Sequence, residues 1–573
     1  MLFKLNGGTV YDPMNGINGE VRDLWIEDGS FVAAPGIGVR PDHELDVRGY
    51  VVMPGGIDMH SHIAGPKVNS GRKMTPEMKR SAPVIKRTAN TRSGTMGPVP
   101  STFATGYLYS QMGYTTAFDA AIPGLLARHA HEEFADTPQL DKGFFVLFGN
   151  NHYVMDRIRE GEAEQLDAYC SWMLQSAKGY TIKIVNPGGV ESWKQISRMS
   201  MQQLDEPVPH FGVTPRAIVR ELAATSDRLR LPHSVHIHCN NLGIPGNWET
   251  TLHTMQSLEG HRGHFAHVQF HSYAGDPNDP FSFRSATPQL VDYVQAHPEI
   301  TVDVGHVNPG RTLSMTGDAP FSYHLHRLTG NKWFTADCEQ ESSCGVIPIE
   351  YRPQRSLIHA VQWAIALEWY LLMENPWQCA MTSDHPNGGA FYRYPEIIAL
   401  LMDRELRRDT MARLPHGLVE RTVLKDIDRE YTLFEIAIIT RAAPARILGL
   451  KHKGHLGVGA DADVTIYAPD SDIRRMFERP RWVIKGGVIA AEDGDIRTEV
   501  FGETLFVEPG YEDEALPGIQ DWFEEHYTIR FRNYGVDSHD VDRPCVVACD
   551  SQPESVDTRA ALSETTNSNN IGL

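Results

Sequence analysis

Between residues 53 and 450 of this 573-residue chain, short apolar runs alternate with stretches of helical length. An apolar run ending near residue 62 is followed by candidate strands at Thr115–Asp119, Phe144–Phe148, Thr181–Val185, Ser234–His238, Phe265–His271, Ile300–Val304 and Cys379–Ser383. Candidate helices include 155–178, 214–226, 357–374 and 433–447. Strands that alternate with helices pair in parallel, because the helix carries the chain back across the sheet face. This many βαβ units predicts an α/β fold, a (β/α)8 TIM-like barrel.

The two ends read differently. Leu2–Leu5, Thr9–Tyr11 and Val21–Ile26 are short strands separated by turn signals, and a similar pattern returns at Gly459–Tyr467 and Arg481–Ile489. The expected organisation is a small composite β-sandwich from 1–52 and 451–510, with the barrel at 53–450 between them. Residues 511–549, aromatic and charged over 518–535, form an expected docking extension. Residues 550–573, rich in Ser, Thr, Asn and Gln, form an expected flexible tail.

A net charge of −20 excludes nucleic acid as the main partner and a polybasic membrane contact. The first residues lack a charged n-region followed by an apolar stretch, so no signal peptide is expected, and no apolar run reaches membrane-spanning length. The 7 cysteines are scattered without a Cys-x-x-Cys pair, which fits a reduced cytoplasm and disfavours an iron–sulfur cluster.

In barrels of this kind the chemistry sits at the carboxyl ends of the strands. His60 and His62 are two apart, so in a strand both leave the same face and can reach one metal ion. Lys183 lies among apolar residues. A buried lysine needs a charge partner or a depressed pKa, which leaves two readings: an ion pair with a nearby carboxylate, or a carbamate bridging two metals. His236 and His238 share a face, and the outermost, His238, is the preferred ligand, with His236 and His233 in support. His267 and His271 also share a face by strand period; His267 is preferred as ligand, with His271 nearer the substrate. Asp384 ends an apolar strand and is a candidate ligand and proton carrier, with an Asx-turn as the alternative. Asn240, Asn241, His271 and Arg284 are candidate substrate contacts. Lys67 and Arg72 are read as solvated loop charges, with an acidic substrate tail as the alternative.

The chain order His-x-His, Lys, His, His, Asp, together with Pro54-Gly55-Gly56-Ile57-Asp58-Met59-His60-Ser61-His62 and Gly459-Ala460-Asp461-Ala462-Asp463, resembles the amidohydrolase superfamily over about residues 1–495. Longer strings narrow this: the run from His60 to Asn69, the run from Lys183 to Gly189, the run from His238 to Gly243, and His267-Val268-Gln269-Phe270-His271. They resemble the A-subunit family of formylmethanofuran dehydrogenase and of the bacterial formyltransferase/hydrolase complex. The resemblance implies zinc-dependent hydrolysis of an N-formyl group on a methanofuran- or methylofuran-type carrier, a furfurylamine, with release of formate, or the reverse. It implies two Zn²⁺ ions, a carboxylated Lys183, and ligands His60, His62, His238, His267 and Asp384. Asp384 would act as general base and then acid. Formyltransferase and dehydrogenase-like subunits would be partners. Asn-Gly pairs at 6–7, 15–16 and 387–388 and the polar tail argue against a hyperthermophile and for a bacterial rather than an archaeal setting. The alternatives are an archaeal dehydrogenase subunit that condenses formate with methanofuran, a cyclic-amide hydrolase of the dihydroorotase or hydantoinase type, and a scaffold subunit without chemistry. The last is disfavoured because every ligand position is filled.

Overall fold

The computed structural model describes residues 1–196, 202–336 and 344–550. The expected tail, apart from Asp550, lies outside the described residues. The eight barrel strands are β1 (Gly56–Ser61), β2 (Tyr114–Ile122), β3 (Asp141–Leu147), β4 (Ile182–Val185), β5 (Val235–His238), β6 (Gly263–Phe265), β7 (Ile300–Asp303) and β8 (Cys379–Ala380). Each pairs in parallel with the next. The ring closes just beyond β8, where His62 N–H donates to the carbonyl of His385 at 2.7 Å and Ser61 pairs with His385. Every residue of β2 and β3 is buried, as expected for strands covered on both faces.

The outer helices start where their caps dictate. Thr214 accepts from Ala217 N–H ahead of Pro215–Arg228, and Ser356 accepts from His359 N–H ahead of Leu357–Leu372. The single helix expected over 155–178 is broken at Gly161, which is left-handed, into His152–Glu160 and Ala163–Ala177. The strand expected over Phe265–His271 stops at Phe265. His267 then turns left-handed and Val268–His271 forms one helical turn.

Strands from both chain ends form one nine-stranded sheet, in which Val51–Pro54 pairs antiparallel with Val464–Tyr467. Phe3, Leu5, Val10, Ile26, Val464 and Ile484 belong to its separate core. The last strand of that sheet ends at Ile496, which corrects the boundary expected at 510. Thr504–Val507, buried throughout, returns to the barrel and pairs with β3 through Lys142 and Thr504, and Pro544–Val547 pairs with it in turn. The 511–549 extension docks on this chain's own barrel. Its helix Leu516–His526 buries Ile519 and Phe523, and Phe531 stacks on Trp172 at 4.2 Å.

A three-stranded antiparallel sheet between β7 and β8 (Gly310–Thr316, Phe334–Ala336 and Cys344–Tyr351) was not expected. In its first strand Leu313 and Met315 pack with Val68 and Val346, while the alternating Ser314 and Thr316 line the central cavity. Among the described residues no helix is long and apolar enough to cross a membrane.

Candidate metal centre

His60 and His62 leave the end of β1 with their Nε2 atoms each 3.1 Å from Asp384 Oδ1. The far nitrogen of each ring meets a carboxylate: His60 Nδ1 bonds Asp303 at 2.8 Å, and His62 Nδ1 bonds Asp119 at 3.3 Å. His238 follows the same rule from β5, with Nε2 3.2 Å from Asp318. An ionised carboxylate only accepts, so the nitrogen facing it carries the proton and the opposite nitrogen offers its lone pair. The Nε2 atoms of His60 and His62 also face the Asp384 carboxylate, so they offer lone pairs to the centre only where Asp384 binds an ion instead of the rings, whereas His238, with Nε2 on Asp318, presents Nδ1. His267 Nε2 stands 3.1 Å from His238 Nδ1.

Among the described residues three buried groups have ligand atoms within 4.8 Å of one another: His60, His267 and Asp384; His238, His267 and His271; and, on the far side of the His60 ring, His60, His236 and Asp303. Imidazole nitrogens with one carboxylate suit a divalent ion such as zinc. Burial opposes ionisation of Asp384, but the His60 and His267 rings outweigh it and hold the carboxyl well below the usual range. His267 and Asp384 have φ of 35° and 49°, left-handed values that strain residues with a Cβ. Gly305 makes room for the first of these, since a Cβ there would lie 2.4 Å from that of His267.

Lys183 lines the same cavity as His60, His62, His238, His267 and Asp384. It is buried and has no hydrogen-bond partner among the described residues, so the ion-pair reading is not what the structure shows. Burial lowers its pKa to about 7. Leu242, Phe270, Phe321, Ile349 and Tyr351 give the cavity its apolar wall.

None of the four expected substrate contacts lines the cavity; His271 is buried beside His238 and His267. Arg284 is exposed on the hairpin formed with Tyr273–Asp276, opposite Ala274. Asn240 Nδ2 donates to Asn186 Oδ1 and the Pro187 carbonyl, and Asn241 Nδ2 donates to the Gln202 carbonyl and Thr250 Oγ1. These amides brace the loops after β4 and β5. Lys67 and Arg72, expected to be solvated, are buried. Lys67 Nζ lies 3.5 Å from Asp119 and donates to the Ala121 carbonyl, and Arg72 pairs with Glu133 at 2.6 Å. His233 and His236 bond each other at 3.0 Å, and His236 Nε2 lies 3.3 Å from His60 Nδ1, on the side of that ring away from Asp384. Asp119, Asp303 and Asp318 were missed. Asp303 closes β7 just as Asp384 follows β8, and Asp119 ends the apolar run read from the sequence as Thr115–Asp119, although the strand continues to Ile122; that pattern was the available signal.

Residues 43–491 match the family model of the amidohydrolase family. The chain is 44% identical over 559 residues to Protein FwdA of Methanocaldococcus jannaschii, covering 94% of this chain and 97% of that protein. It is 39% identical over 537 residues to the FhcA protein of the formyltransferase/hydrolase complex of Methylorubrum extorquens, covering 93% and 95%. It is also similar to a chain of the crystal structure of the Methylorubrum extorquens formyltransferase/hydrolase complex (FhcABCD) in complex with methylofuran. The TM-score is 0.90 at 35% identity, over 96% of this chain and 100% of that one. The family model covers most of the chain and the relatives match nearly its whole length, so the chain belongs to the amidohydrolase family.

Proposed function

We propose that this chain hydrolyses an N-formyl amide on a methylofuran- or methanofuran-type carrier and releases formate, as the FhcA-type component of a complex with formyltransferase and dehydrogenase-like subunits. The observation that carries the hydrolytic reading is the partnerless Lys183 amine facing the same cavity as the histidines and Asp384. An amine held near pKa 7 is substantially neutral at neutral pH, the form that adds carbon dioxide, and a carbamate there would supply the missing anionic oxygens. The carrier is supported by the likeness to FhcA and to the complex solved with methylofuran.

His60, His62, His238, His267, Asp384 and a carboxylated Lys183 would hold two zinc ions, which would supply Lewis acidity and a nucleophilic water at neutral pH. The chain's own residues manage the proton. Asn387 Nδ2 donates to Asp384 Oδ1 at 2.9 Å, and Asn387 Oδ1 accepts from Met315 N–H at 2.6 Å, so the carboxylate is fixed in place. Asp384 takes the proton of the attacking water and gives it to the amine nitrogen as the C–N bond breaks, since an unprotonated amine leaves poorly. Phe270, Phe321 and Tyr351 offer faces on which a furan ring can lie. The same centre catalyses condensation when formate and free carrier are in excess. The bacterial setting expected from sequence gains no support from the relatives, since the archaeal one is 44% identical and the bacterial one 39%.

The test is formate release from N-formylmethylofuran by the zinc-loaded complex with no electron donor present. Release is expected, with Asp384→Asn slowing it by at least roughly 10²-fold. Failure to release formate alongside hydrolysis of hydantoin or dihydroorotate would transfer the protein to the cyclic-amide class.

A further inference from the structure

His271 has no hydrogen-bond partner for either ring nitrogen among the described residues, although it is 1% exposed. A buried imidazole with two idle nitrogens is costly, because its lost hydration is not replaced. Its surroundings indicate what replaces it. The ring centroid lies 5.2 Å from that of His267 and 5.4 Å from that of His238. His267 and His271 are four residues apart across one helical turn, Val268–His271. The turn is a 3-10 turn that His267 caps from a left-handed conformation, and it brings ligand nitrogens of His238, His267 and His271 within 4.8 Å of one another. Ligand nitrogens of one tetrahedral ion, each at about 2.0–2.1 Å, stand about 3.4 Å apart. His238 Nδ1 and His267 Nε2 are already at 3.1 Å.

We propose that His271 is a third imidazole ligand, so that His238, His267 and His271 form a three-histidine face holding one ion. A residue reserved for the substrate would aim a nitrogen at the open cavity. His271 is absent from the cavity wall, whereas His238 and His267 line it. The inference rests on the metal-centre reading above but not on the identity of the carrier.

The experiment is cobalt(II) titration of the full-length chain, following ions bound and the visible spectrum. In His271→Ala one of two ions should weaken by at least roughly tenfold, since loss of a direct ligand costs no less than loss of an outer hydrogen bond, about 10–100-fold. In His271→Cys the ion should be retained and a thiolate-to-cobalt charge-transfer band should appear. That positive signal requires a folded protein, so it does not depend on the alanine variant's stability. Two ions of unchanged affinity in His271→Ala, with no new band in His271→Cys, would overturn the proposal and leave the hydrolytic reading standing. Loss of one ion without formate release from the wild type would do the reverse.

Discussion

Asp303 does its work without facing the cavity. Its carboxylate accepts from His60 Nδ1 at 2.8 Å, His264 Nε2 at 3.1 Å, the His267 backbone N–H at 3.0 Å and Thr382 Oγ1 at 2.7 Å. Both oxygens thus face donors only. Asp303→Asn keeps the shape but turns an NH₂ group toward donors, whichever way the amide is placed. Metal affinity should fall about 10–100-fold while the fold survives. Competition with a chelating dye reads this, and an unchanged affinity would mean that the backbone alone holds the ligands. The convergence of the candidate ligands was legible in the sequence because strand period places His60 and His62 on one face. Their supports were not, because Asp303 and Asp384 look alike at the end of an apolar run and only distances separate brace from ligand. Asn240 and Asn241 turn away for a related reason, since a residue after a strand points to the centre only if its loop does not fold onto itself, whereas Arg284 lies within a strand of a surface hairpin.

Helix Leu357–Leu372 carries an element-scale example. Glu368 accepts from Ser285 Oγ at 2.5 Å and from the Val423 and Leu424 N–H groups at 2.5 and 3.0 Å, tying the helix to a hairpin and a turn. Burial pushes its pKa up from 4.5 to about 7. A carboxyl with a raised folded pKa binds its proton more tightly in the folded state, so stability falls as pH rises from about 4.5 to about 7 and stays lower above. Glu368→Gln keeps an oxygen for the two N–H groups and turns its NH₂ toward Ser285. It should melt like wild type near pH 5 and be more stable at pH 8 by up to about 3 kcal/mol. Parallel melting-versus-pH curves would defeat this. At this scale the eight barrel strands were legible from apolar runs bounded by turns. The end of β6 was not, because His267 leaves the strand through a left-handed turn that nothing in its own type demands. The sheet over Gly310–Thr316 was foreshadowed by the alternation of Leu313 and Met315 with Ser314 and Thr316 but lay outside the expected βαβ pattern.

For the whole molecule, the proposed ligands come from β1, β5, the turn after β6 and the loop after β8, so a metal bound there would cross-link the barrel. Chelation should lower the melting temperature, since an ion at 100 times its Kd contributes about 2.7 kcal/mol. If Lys183 is carboxylated, full recovery should require zinc together with bicarbonate; recovery with zinc alone in carbon dioxide-free buffer would count against the carbamate. The barrel and its composite end sheet were readable because each rests on a long repeated pattern. The return of Thr504–Val507 to β3 was not, since a four-residue buried strand carries no mark of which sheet it joins.

The pairing of Val51–Pro54 with Val464–Tyr467 has a consequence for synthesis. The amino-terminal strands emerge from the ribosome early, but their partner follows only after the barrel's share of the chain has been made, on the order of tens of seconds later at ordinary elongation rates. Until then Val52 and its apolar neighbours have an open edge, so the nascent chain is exposed to wrong pairings and to chaperone capture for most of its translation.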